Sequence, residues 1–274
     1  MTYTLTPSGR PSAAVLTALV PVTIPGRQII RQIEYSHKPT SIETSGYNCY
    51  ASFSFGSLSE PVDVTIRIRA DLLRHDSQAQ TDLATLTPAD ARRYLLPERY
   101  IESEAQEIRD LAAHATGQTP LELVRSLYTL TVRTVRPGLY QPRDGGALAA
   151  VRGQLGDCTE YADLLVALCR ARGIPARVVE GVIADYSDVP RHAWAEAYVG
   201  GRWLPLDAAL ARSGQSSFDR MKPMYLYLTA VRNDDRFGGG HSWYCQYWGR
   251  SVEVRETVDV RNVPRLPGAI ASTR

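Results

Sequence analysis

The chain has 274 residues, 44% apolar and 22% charged, with a formal net charge of +2. That balance suits one large or two modest globular domains, and the scatter of basic residues argues against nucleic acid as a partner. No apolar run is long enough to span a bilayer, and four cysteines without CxxC spacing suit neither a disulfide framework nor a zinc site, so the expected setting is the reducing cytoplasm.

Residues 13–72 read as strands. AAVLTALVPV (13–22) has the hydrophobicity of a signal segment, but Pro21 interrupts it, only Arg10 precedes it as a basic residue, and no convincing cleavage site follows. QIIRQIEYS (28–36), YNCYASFSF (47–55) and VDVTIRIRADL (62–72) are alternating or β-branched and bounded by Pro, Gly and Ser. Cys49 lies inside the second of these, where burial is its expected role.

The pattern then turns helical. TPAD (87–90) and TPLE (119–122) each set a threonine at an N-cap, a proline at the first helical position and an acid two places later; SEAQ (103–106) reads as a similar box. The helix after TPLE should stop before Pro137. YQPRDGGA (140–147) reads as a loop. In GDCTEYADLLVALCRARG (156–173), Tyr161, Leu164, Leu165, Leu168 and Cys169 share one helical face, and Gly173 closes the helix. After Pro175, strands are expected at 176–185, 192–199, 202–210, 224–231 and 242–260. This order predicts an α+β fold with an N-terminal β-rich domain (1–85) and a second domain over 86–274.

The helix-end cysteine carries the first chemical signal. Asp157 can cap the helix with Glu160 completing the box, which puts Cys158 among unpaired N–H groups at the positive end of the helix dipole. That setting favours a thiolate, and the same N–H groups can hold an oxyanion. A structural cysteine at a helix end is the competing reading, and the Asp157 charge opposes the thiolate unless capping directs it elsewhere.

A thiol nucleophile needs an imidazole held by a third group. Gly200-Gly201 marks a two-residue hairpin turn. Pairing across it sets Val199 opposite Arg202 and Trp194 opposite Asp207, so His192 and Asp207 become diagonal neighbours on one face. A solvated His–Asp pair on an exposed hairpin is the alternative. His241, after three glycines, is the rival base, with a flexible loop as its plainer reading. No HxH, HExxH or Cys/His cluster is present, so no metal and no cofactor are expected.

GDCTEYADLLVALCRARGIPARVVEG, then HAWAEAYV, then GRWLPLDAA resembles the transglutaminase-like superfamily, a branch of the papain-like thiol fold, over roughly 97–210. The resemblance implies a helix bearing the cysteine packed on an antiparallel sheet, with Cys158 as nucleophile, His192 as base and Asp207 as orienting acid. It makes 86–274 the catalytic domain. Animal transglutaminases set a tryptophan upstream of the thiol; this chain has none there, and Tyr140 and Gln154 are the candidate second oxyanion donors. PLDAAL replaces the common Asp-Pro-Thr ending, and no calcium-type carboxylate cluster is evident. The activity implied is acyl transfer from an amide through a thioester, first as a cysteine peptidase or amidase on a peptide, protein or small amide. An amide-forming acyltransferase and a catalytically silent binding module are the alternatives.

Overall fold

The structure is a computed structural model that describes residues 1–46, 48–74, 86–138, 144–184, 191–218, 220–237 and 241–261. The first 72 residues form six strands: β1 (Thr2–Pro7), β2 (Ala13–Val20), β3 (Gln28–Tyr35), β4 (Ser41–Ser45), β5 (Asn48–Phe55) and β6 (Val62–Leu72). The alternation in β1, β2 and β6 buries Tyr3, Leu5, Ala14, Leu16, Val64 and Ile66 together with Phe53 and Cys49 of β5. The helical part follows, with α1 (Pro88–Arg93), α2 (Gln106–Ala113), α3 (Pro120–Thr134), a two-residue β7 (Arg136–Pro137), α4 (Gly146–Gly153), β8 (Leu155–Gly156) and α5 (Cys158–Ala171). Then come β9 (Ala176–Ile183), β10 (Arg191–Val199), β11 (Arg202–Leu206), β12 (Tyr225–Thr229), β13 (Trp243–Trp248) and β14 (Val252–Thr257). The fold is α+β with mostly antiparallel sheets, as the sequence predicts.

The strands of 242–260 depart from their expected place. β9 to β12 form one sheet in the order β11-β10-β9-β12, whereas β13 and β14 pair with β2 and β1 and complete the two N-terminal sheets. Local alternation reveals that a strand exists, not which distant strand receives it. Further bonds join this β part to the central sheet. Arg27 donates to the Trp203 carbonyl at 2.7 Å, and Gln28 brackets Tyr227 by accepting from its N–H at 2.7 Å and donating to its carbonyl at 3.1 Å. Arg191, next to His192, is ion-paired with Glu256 of β14.

Helix starts are as expected at Thr87 and Thr119, whose side chains accept from the N–H groups of Asp90 and Glu122. The SEAQ box does not form: α2 starts one residue beyond Ala105, and Ser103 is buried ahead of it. Of the loop expected over 140–147, residues 140–143 lie outside the described residues, while Gly146 and Ala147 belong to α4, whose Ala147 and Ala150 pack into the core. Helix α5 is enclosed on all sides from Glu160 to Arg170, more than the single apolar stripe implies. It packs against α2, α3, α4, β9 and β10. The buried Asp163 and Arg170 fit there because each has an ion partner, Arg232 and Glu98 respectively. Among the described residues, no helix is long and apolar enough to cross a membrane.

Candidate active site

Cys158 is the first residue of α5. Asp157 caps the helix through a full capping box: its Oδ1 accepts from the Thr159 N–H at 2.9 Å, and Glu160 Oε2 accepts from the Asp157 N–H at 3.0 Å. The capping carboxylate is thus bonded to backbone donors of its own helix. The other Glu160 oxygen accepts from the Gly145 N–H at 3.0 Å and ties the loop before α4 to the thiol's helix end. Gly156 makes this possible, since a Cβ there would sit 2.5 Å from the Glu160 Cβ. Cys158 is half-buried, while Cys49, Cys169 and Cys245 are buried, and all four thiols are free.

The hairpin carries the other two groups. Its turn residues have φ values of 61° and 80°, a conformation for which glycine is suited. The register is the expected one: Val199 faces Arg202 and Ala195 faces Leu206. Asp207 follows β11, and Pro205 is tolerated there because β11 is an edge strand. The resulting diagonal places His192 Nε2 2.8 Å from Asp207 Oδ2. Asp207 is fully buried. Its Oδ1 accepts from the Leu210 N–H at 3.1 Å, its Oδ2 also accepts from the Tyr225 hydroxyl at 2.7 Å, and its backbone carbonyl accepts from Tyr128 at 3.0 Å. With Nε2 committed to Asp207, the remaining ring nitrogen of His192 is Nδ1. Burial opposes a charge on His192. Asp207 outweighs it, by its charge and its hydrogen bond, and Cys158 adds to the effect, so the imidazole is raised to about 10. The ring also stacks with Trp194 at an interplanar angle of 20°.

Of the three residues singled out by the sequence, His192 and Asp207 are thus bonded, and Cys158 is among the groups that raise the imidazole. Of the two oxyanion candidates, Tyr140 lies outside the described residues. Gln154 is exposed, with a φ of 52°, at the end of α4, and its carbonyl accepts from the Arg136 N–H. Tyr225 was not foreseen, because nothing local marks a tyrosine of one edge strand as a partner of an aspartate beyond the other.

A second histidine cluster stands apart from the sulfur. Arg232 bonds Asp163 of α5 through two nitrogens, at 2.8 and 3.1 Å, and Asp144 at 2.8 Å. His241 lies between Glu180, 3.1 Å from Nδ1, and Asp144, 3.3 Å from Nε2. Hydrogen bonds to these two carboxylates raise His241 to about 10. Burial opposes the charge of Asp144, yet His241 and Arg232 hold it down at about 2, whereas burial pushes Asp163 up to about 7 despite Arg232. The carboxylates surround a guanidinium, and among the described residues no group of three or more His, Cys, Asp or Glu side chains is arranged for a metal ion.

Comparison with known proteins finds likenesses of sequence and of fold. Residues 105–208 match the model of the transglutaminase-like superfamily. A candidate cysteine protease from Cytophaga hutchinsonii shares the fold with a TM-score of 0.60 at 18% identity, over 96% of this chain and 93% of that one. Weaker likenesses are the periplasmic domain of TgpA from Pseudomonas aeruginosa (TM-score 0.39, 20% identity, 71% of this chain and 68% of that one) and red sea bream transglutaminase (TM-score 0.36, 8% identity, 72% and 45%). No curated protein matches the chain.

Proposed function

We propose, from the match of residues 105–208 to the transglutaminase-like superfamily, that the chain is a cysteine hydrolase acting on an amide bond of a peptide, protein or small molecule. The observation that carries this reading is His192, its side chain 8% exposed, bonded to Asp207 and raised in part by the Cys158 thiol at the start of α5.

In the reaction, Cys158 Sγ attacks the carbonyl carbon and the carbonyl π electrons move to oxygen. The oxyanion lies against the start of α5, where the capping box occupies the N–H groups of Thr159 and Glu160 and leaves that of Cys158 outside it. Tyr140 and Gln154 remain the candidates for a second donor. The imidazolium of His192 then gives its proton to the leaving amine as the C–N bond breaks, and a thioester remains. Neutral His192 next takes a proton from water, whose oxygen displaces sulfur and releases the acid. Asp207 stays ionised throughout and orients the ring. An amine in place of water would give transamidation with the same three groups. The four free thiols suit a reducing cytoplasm, which is the compartment we propose.

The test is to incubate the protein with activated amide or ester substrates, trap the acyl-enzyme by intact mass, and add amines. Retention of full turnover by Cys158→Ala would end the thiol reading. Product partition in favour of the amine would replace hydrolysis with transfer.

A further inference from the structure

Tyr225 reaches the site from the opposite edge of the sheet. β11 and β12 are the two edges, with β10 and β9 between them. Asp207 follows one edge and Tyr225 opens the other, yet the phenol lies 2.7 Å from Asp207 Oδ2. Gly181 clears part of the way: a Cβ there would sit 2.0 Å from the Leu226 carbonyl oxygen and 2.9 Å from Trp194 Cη2. Trp194 can therefore lie against β9, where its ring meets Tyr225 edge to face at 5.1 Å while it stacks with His192. Burial and the neighbouring Asp207 push the phenol far above its ordinary range, so it is a donor at any working pH.

The result is one carboxylate oxygen with two donors, His192 Nε2 at 2.8 Å and the Tyr225 hydroxyl at 2.7 Å. We propose that Tyr225 is a positioning residue of this site: by donating to the oxygen that binds His192, it takes up part of the Asp207 charge and leaves the imidazolium able to surrender its proton to the leaving amine. This inference rests on the acyl-transfer reading for its purpose but not for its test. A carboxylate that loses a donor becomes more basic and pulls harder on its remaining partner. A proton held too firmly on His192 slows its delivery.

The test is an NMR titration of the His192 imidazole in the full-length chain carrying Cys158→Ala, which removes the sulfur's own influence. Adding Tyr225→Phe, which keeps the ring and removes the hydroxyl, should raise the midpoint by about half to one pH unit, or roughly threefold to tenfold in proton affinity. Tyr227→Phe is the control: its hydroxyl faces Glu196 at 3.3 Å and not Asp207, and its midpoint should stay put. If Tyr225→Phe fails to fold, difluorotyrosine at 225, a stronger donor, should lower the midpoint instead. A midpoint unmoved by these changes at 225, or moved the other way, overturns the proposal. Because the titration needs no turnover, it can succeed even where Cys158 proves inactive, so the two failures are told apart.

Discussion

His192 and His241 keep comparable company. Each lies against carboxylates, one on Asp207 and the other between Asp144 and Glu180, and each imidazole is raised to about 10. They differ in what else is present. His192 is 8% exposed and is raised in part by the Cys158 thiol, whereas His241 is 42% exposed and shares its carboxylates with Arg232. A histidine shifted by acids is therefore not by itself a sign of chemistry. The sulfur separates a candidate catalytic imidazole from one that helps tie together the start of α4, strand β9 and the segment after β12.

The sharpest way to break this contrast is to remove each ring in turn. His192→Ala should lower kcat/KM at least about a thousandfold, while His241→Gln should leave it within about threefold, as measured on one amide substrate. Similar losses from both would make the second cluster part of the chemistry. Next in size is Asp207→Asn, which keeps the shape and removes the charge. Turnover should fall by about a hundredfold to ten-thousandfold, and the His192 titration should drop from about 10 toward its ordinary value of 6.5.

On stability, the second cluster should dominate. Arg232→Ala strands the buried Asp163 without its cation and leaves Asp144 and Glu180 only His241, and urea unfolding should show a loss of about 3–5 kcal/mol. A loss below about 1 kcal/mol would mean that the cluster rearranges freely. The smallest effect belongs to the pH dependence of His241. Its folded value lies above the unfolded one, so its contribution is full below about 6.5 and is lost as pH rises through about 10. Thermal melting of the wild type should weaken over that window more than melting of His241→Gln does, with the difference small because the ring is partly in water.

What could be read from the sequence was local or turn-coupled. Capping signals placed the starts of α1, α3 and α5, and two glycines set a register that carried His192 to Asp207 across fifteen positions. What could not be read depended on distant pairing. The return of β13 and β14 to the N-terminal sheets, the reach of Tyr225 to Asp207, and the gathering of Asp144, Asp163 and Glu180 around Arg232 leave no trace in periodicity. Helix α4 escaped notice because its flanking glycines read as a loop. Serine at 103 misled because a box motif does not form when its first residue is buried elsewhere.

Mapping iodoacetamide labelling by peptide mass near neutral pH tests the central claim most directly. Burial holds the Cys169 thiol at about 12 and Cys245 at about 11, and Cys49 is also buried. Cys158 should alkylate at least about tenfold faster than the other three, and His192→Ala should remove that advantage. Equal rates at all four thiols, or a Cys158 rate indifferent to His192, would contradict a working thiol–imidazole pair.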